Sequence, residues 1–168
     1  MSIKGKTKGF TLLEMLISLV VITVGVLGIY SAISKFSQNT QLERESLVAS
    51  YLCQEGIEIV KNRRDTNWLQ GAAWDAGLTG CASGCEADYL ADPSVDLPAW
   101  VDPGKDLYVE GATRSFKYLT SPVTGVDTKT NFKRRINIAA GVDELYVVVN
   151  VYWEGNVMSV EEKIYNWR

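Results

Sequence analysis

Between Met15 and Ile33 the chain runs for nineteen residues without a charge, MLISLVVITVGVLGIYSAI. With the residues from Phe10 onward, this stretch reaches the length of a bilayer span. About twenty helical residues at ~1.5 Å rise cover the ~30 Å hydrocarbon core. A core helix of a soluble fold is amphipathic, whereas this run is apolar all round. Lys4, Lys6 and Lys8 precede it, and the first nine residues hold no acid. The positive-inside rule therefore sets Met1 in the cytoplasm and everything after Lys35 outside it. No small-x-small cleavage site closes the run cleanly, and Ser31 to Ser34 is the nearest approach, which argues against an ordinary secretory signal.

One charge interrupts the segment from Phe10 to Ser34, and it is Glu14. A carboxylate in an apolar span costs a few kcal/mol, less near the interface than at the centre. A plain signal anchor has no use for that cost, so Glu14 marks a function that needs a named partner. In this context the stretch KGFTLLEMLISLVVITVGVLG resembles the class III signal of type IV prepilins and type II secretion pseudopilins. That signal is a short basic leader ending in Gly, then Phe, then Thr-Leu-Leu-Glu, then a long apolar run. The resemblance covers about the first thirty residues.

The resemblance implies that residues 1–9 are a leader, cut after Gly9 on the cytoplasmic side by a membrane prepilin peptidase. The same enzyme would methylate the new amino group, leaving an N-methylphenylalanine at Phe10. A residue without Cβ at Gly9 lets the peptidase approach the backbone closely. Glu14 would be the fifth mature residue, one helical turn from the Phe10 ammonium. It could pair within the chain or with the ammonium of a neighbouring subunit. Opposite charges are tolerable together in low dielectric where either alone is not, and such a pair would set a subunit's register in a filament.

The organisation expected is α+β and pilin-like: a transmembrane and filament-core helix over 10–34, its amphipathic continuation over 35–65, and a β-rich head over 66–168. Within the apolar half, Gly25 and Gly28 carry two readings, flexibility in place of the proline many relatives have, or close helix packing. Beyond it, Leu42, Ala49, Leu52, Gly56, Ile59 and Val60 recur at helical spacing, with Glu43, Arg44, Glu45, Glu55, Glu58 and Lys61 on the other side. The helix is expected to run to about Arg64 and to pack on a C-terminal antiparallel sheet. YLCQEGIEIVKNRRDTNW and the closing hairpin ending in YNW resemble minor pilins.

From Asn62 to Asp106, glycines and prolines recur and the segment reads as an irregular connection, with Trp68, Trp74 and Trp100 either pinning it to the core or forming a ligand surface. Cys81 and Cys85 enclose three residues, and an oxidising compartment allows a small disulfide loop between them. Cys53 is then a buried free thiol; a bridge from Cys53 to either partner is the alternative. Asp88, Asp92, Asp96, Asp102 and Asp106 match no calcium-ligand spacing and read as solvated loop acids. The strands expected are Leu107–Glu110, Arg114–Leu119, Phe132–Ala139, Leu145–Trp153 and Val157–Trp167. In the fourth, Val147, Val149, Val151 and Trp153 share one face, and Glu154-Gly155-Asn156 turns the chain into the last strand.

Function classes narrow accordingly. The chain has no histidine, the usual neutral-pH base and metal ligand. No nucleophile elbow or phosphate loop occurs, and Glu161 and Glu162 fall on opposite faces of one strand. A membrane-anchored extracytoplasmic enzyme or binding domain is the alternative, but it lacks a constellation. No metal or cofactor is expected. Losing the three leader lysines takes the formal net charge from −3 to −6, which gives no general nucleic-acid footprint. Lys133, Arg134 and Arg135 read as a solvated strand end. The resemblance implies a structural subunit, leaning to a minor pilin or minor pseudopilin. Its partners would be other subunits, prepilin peptidase, membrane lipid before assembly, and an inner-membrane platform with a cytoplasmic ATPase. It would sit first in the cytoplasmic membrane with an extracytoplasmic head, then in a cell-surface or periplasmic filament.

Overall fold

The computed structural model describes residues 9, 11–92, 95–119 and 121–167. The leader lysines, Phe10 and Pro93 lie outside these. The fold is α+β: one helix, α1 (Leu12–Gln70), then two antiparallel three-stranded sheets. The chain divides into two compact units, residues 1–44 and 45–168.

In the first unit α1 has no break, and no proline or charged pair interrupts it. Its apolar side chains are exposed, from Leu12 through Val21 and Tyr30 to Ile33. Two hydroxyls inside the run are satisfied by the helix itself. Ser18 Oγ donates to the Glu14 carbonyl at 2.8 Å, and Thr23 Oγ1 to the Leu19 carbonyl at 2.9 Å. A lipid environment offers side chains no water, so such internal bonds remove the cost of carrying them.

In the second unit α1 continues past the expected end near Arg64 and stops at Gln70. Gly71 takes a left-handed φ of 69°. Its N–H donates to the Trp68 carbonyl (3.1 Å), and the Ala72 N–H donates to the Asn67 carbonyl (2.9 Å). Those two bonds are a Schellman cap, which consumes the carbonyls a helix end would otherwise leave bare. Nothing before Gly71 breaks the helix, so residues 62–70 belong to α1 and not to the irregular connection.

The head strands are β1 (Tyr108–Val109), β2 (Phe116–Lys117), β3 (Thr128–Lys129), β4 (Lys133–Ala140), β5 (Glu144–Trp153) and β6 (Asn156–Tyr165). The expected single sheet is two, ordered β2-β1-β3 and β4-β5-β6. The first two expected strands shrink to two-residue pieces because the chain folds back tightly between them. Glu110 N–H donates to Ser115 O at 3.0 Å, and Arg114 sits at φ 59°. The β5–β6 turn is two residues, Glu154 and Gly155, at φ 42° and 81°. Both positive values are those of a type I′ hairpin, whose twist matches the strands.

On β5 the alternation is realised: Leu145, Val147, Val149, Val151 and Trp153 are buried. They meet Ala49, Leu52, Cys53, Ile57 and Val60 of α1 and Ile136 and Ile138 of β4 in one core. Leu42, outside this unit, is exposed, and Ile59 is half-buried. Gly56 lets the helix approach: a Cβ there would lie 2.7 Å from Val149 Cγ1. On the inner side of β6, Glu162 pairs with Lys61 of α1 at 2.9 Å.

Arg134 overturns the expected solvated strand end. The period of two turns Lys133 and Arg135 outward and Arg134 inward, where it is fully buried. Its guanidinium donates to Glu55 Oε2 at 2.8 Å and to the Leu52 carbonyl at 3.1 Å, and also to the Ala87 carbonyl. Helix, connection and sheet thus meet on one side chain.

The connection from Gly71 to Asp106 is irregular, with a short 3-10 turn at Thr79–Cys81. Cys85 exchanges backbone bonds with Ile136 (2.8 and 2.9 Å), so the connection covers the outer edge of β4. Trp68 is buried beneath Trp167, and their rings are 4.3 Å apart. Trp74 packs on the core. The loop acids are not uniformly solvated. Asp88 accepts the Tyr118 and Leu90 N–H groups at 2.9 and 3.0 Å, and Asp106 pairs with Lys129 at 2.7 Å.

Cys81 and Cys85 are joined as a disulfide, and Cys53 is a free, buried thiol. A bridge across four residues removes little freedom from the unfolded chain. By loop-closure entropy, its loss should cost about 2 kcal/mol. The double variant Cys81→Ser, Cys85→Ser should lower the unfolding free energy by that amount, and chemical denaturation of the full chain measures it.

Burial pushes the Cys53 thiol up to about 11, against a smaller lowering by the positive charge of Arg134. Burial also raises the Tyr118 hydroxyl. Both groups hold their protons more tightly folded than unfolded. Their contribution is therefore complete below their ordinary values and is lost as pH rises through the folded ones. Stability should fall between about pH 9 and 11. Cys53→Ala should flatten part of that slope in pH-dependent denaturant melts.

Candidate functional site: the helix N-terminus

The residues that carry the N-terminal signature fall at the start of α1. Gly9 is exposed and precedes the helix, with nothing within 4 Å of where a Cβ would stand. Phe10 lies outside the described residues. Thr11 is the residue before the first helical turn, and its Oγ1 accepts the Glu14 N–H at 3.3 Å. Its carbonyl also accepts the N–H groups of Glu14 and Met15, at 3.1 and 3.2 Å. Thr-Leu-Leu-Glu therefore starts the helix: a threonine N-cap with a glutamate at the third helical position is the sequence of a capping box.

The sequence reading passed over Thr11, although the T-x-x-E spacing was there to be read. Glu14 sits in the first turn. There its negative charge is favoured by the unpaired N–H groups of the helix start. The same carboxylate is exposed on a helix whose neighbouring side chains, Leu13, Met15 and Leu16, are exposed and apolar. It is a single acid on an apolar surface, set where the chain begins its helix.

Gly25 and Gly28 lie within the same unbroken helix, and a Cβ at either would meet nothing within 4 Å. The fold around them therefore does not require glycine. Three acids of the head are engaged structurally. Glu86 is buried against Lys105, Glu161 accepts the Tyr146 hydroxyl, and Glu162 holds Lys61. Among the described residues no cluster of three metal-ligating side chains occurs.

The prokaryotic N-terminal methylation motif matches residues 4–30. No curated protein and no solved structure matches the chain significantly. The matched segment holds Gly9, Phe10 and Glu14 together with the apolar run, and the α+β fold follows it. The helix is long and apolar enough to cross a membrane. The motif, with a long apolar helix and an α+β head behind it, supports a type IV pilin-like precursor.

Proposed function

We propose that the chain is a minor subunit of an extracytoplasmic filament of the type IV pilus or type II secretion kind. Prepilin peptidase cuts it between Gly9 and Phe10 and methylates Phe10. An inner-membrane platform with a cytoplasmic ATPase then draws the helix from the bilayer into the filament. The observation that carries this reading is the start of α1. One carboxylate, Glu14, stands in the first turn of a helix that is otherwise uncharged through Ser34 and whose apolar side chains there are exposed.

In the membrane, lipid covers those side chains, and in the filament the helices of other subunits do. The division of labour is then a leader over 1–9, the anchor over 10–34, its continuation over 35–65 and the head over 66–168. Filaments of this kind are built from heterologous contacts that do not close on themselves. Glu14 neutralises the Phe10 ammonium of the neighbouring subunit, while Gly25 and Gly28 let the helix adjust as it leaves the bilayer. Each glycine lowers helix stability by about 1 kcal/mol relative to alanine. The leaning to a minor subunit rests on the helix segment after Tyr51 and the closing hairpin.

The test is the N-terminal mass of the protein recovered from cells with and without an active prepilin peptidase. The expected product starts at a methylated Phe10 and appears only with the peptidase. A chain that still starts at Met1 in peptidase-active cells, or one cut near Ser34, overturns the proposal.

A further inference from the structure

The head carries a cleft of about 470 Å³, within the ~300–1,000 Å³ typical of small-molecule sites. It lies entirely within residues 100–157, between the Trp100–Pro103 loop, the outward face of β4 and β5, and the β5–β6 turn. Two aromatic rings lie side by side in its lining. Trp100 and Tyr152 have centroids 5.9 Å apart and planes inclined by 40°.

Both rings are held from behind. The Trp100 backbone N–H donates to the Gly84 carbonyl at 2.9 Å and fixes the chain that carries the ring. The indole lies so close to Gly104 that a Cβ there would fall 2.1 Å from its ring, and Gly104 has a φ of 82°. Only glycine suits that position. Arg135 sits 5.8 Å from the Trp100 ring centre, and its guanidinium is fixed by a 2.7 Å bond to the Ser83 carbonyl. Tyr152 is fixed by the sheet, opposite Lys133.

The polar lining decides what would enter. Lys133 and Arg135 contribute two positive charges, and Asp102 and Glu154 two negative ones. A polyanion gains nothing from a lining of zero net charge, and neither does a cation. Glu154 accepts from the Asn131 amide at 2.9 Å, so donors and acceptors stand side by side at the mouth. A pair of ring faces flanked by mixed donors and acceptors complements a molecule with apolar C–H faces and hydroxyls that both give and take hydrogen bonds. We propose that this cleft binds an uncharged saccharide, with a sugar ring laid against Trp100 and Tyr152 and its hydroxyls bonded to Glu154, Asn131 and Arg135.

The source could be a wall-type glycan of N-acetylhexosamines or a neutral hexose polymer, and the test separates them. The full chain in detergent micelles free of sugar headgroups is titrated with chitotetraose, with maltotetraose and with a phosphorylated control, an oligothymidylate. Tryptophan fluorescence and isothermal calorimetry follow binding. One neutral oligosaccharide should bind saturably below about 10 mM, an affinity of a few kcal/mol, and the oligothymidylate should not bind at moderate salt. Trp100→Ala should weaken the binding at least tenfold. Because that variant also removes packing against Gly104, Glu154→Gln and Asn131→Ala, both at exposed positions, are measured beside it. Each should weaken binding severalfold with an unchanged melting temperature. No saturable binding of either oligosaccharide, equal binding by all three variants, or tighter binding of the oligothymidylate would overturn the proposal. Because the readout is head binding by the isolated chain, its failure leaves the filament reading standing.

Discussion

Arg134→Ala should lower the stability of the head by about 3–5 kcal/mol, the usual loss when one partner of a buried ion pair is removed. That corresponds to roughly 10–20 °C in melting temperature for a unit of this size. Arg134 is fully buried and binds Glu55 on the helix, the Leu52 carbonyl beside it and the Ala87 carbonyl of the connection. Alanine leaves all three acceptors without their donor and opens a cavity next to Val149 and Gly56. Arg134→Met separates the two causes. It fills most of the volume without a charge, and Glu55, whose side chain is 29% exposed, turns to water. The methionine variant should therefore recover more than half of the loss. A circular-dichroism melt of the full chain measures both. An alanine variant melting within about 2 °C of the parent would show that the guanidinium does not lock helix to sheet.

The second large effect concerns assembly rather than folding. Glu14→Ala should be cleaved normally, because the proposed cut between Gly9 and Phe10 lies before the helix and leaves residues 1–9 unchanged. It should then be left out of filaments. Without the carboxylate, the Phe10 ammonium enters a low-dielectric helical core unpaired, at a cost of about 2.5–3.5 kcal/mol. That cost reduces the assembled fraction by about a hundredfold. Glu14→Asp keeps the charge on a shorter arm and should recover part of the incorporation. The measurement is the ratio of assembled to membrane-bound protein, with the N-terminal mass as the control for processing. Normal incorporation of Glu14→Ala would refute the pairing.

The anchor was legible because its signal is local. An uncharged run behind three lysines, with one acid in its first turn, needs no tertiary information. The β5 alternation was legible for the same reason, since one face of the strand is buried along its whole length. What stayed hidden depended on contacts far apart in sequence. The position of Arg134 follows from the register of β4 against β5, but a run of three basic residues reads first as a solvated end. β3 is two exposed polar residues held by pairing with β1 and by the Lys129–Asp106 ion pair, so it has no pattern to find. The end of α1 was missed because Gly71, the residue that caps it, was read as one loop glycine among several. The cleft draws its rings from Trp100 and Tyr152, which only the folded sheet brings together.

The strand order has a consequence for the state in which such a chain works. Among the described residues β4 has its outer edge covered by Cys85, while β6 pairs only with β5. A ten-residue strand with one open flank is a template on which a second chain can add. Copies crowded on a membrane or along a filament meet at high local concentration, where such templating leads to irreversible fibres. Glu162 stands against this. It projects from β6 toward the inside of the head, where Lys61 neutralises it. A strand that docks on the open edge and extends the sheet would have to bury a surface already carrying that charge pair. The salt bridge therefore contributes little to how tightly one head folds, and an inward-pointing charged residue on an open strand is one of the devices by which edge-to-edge pairing is blunted.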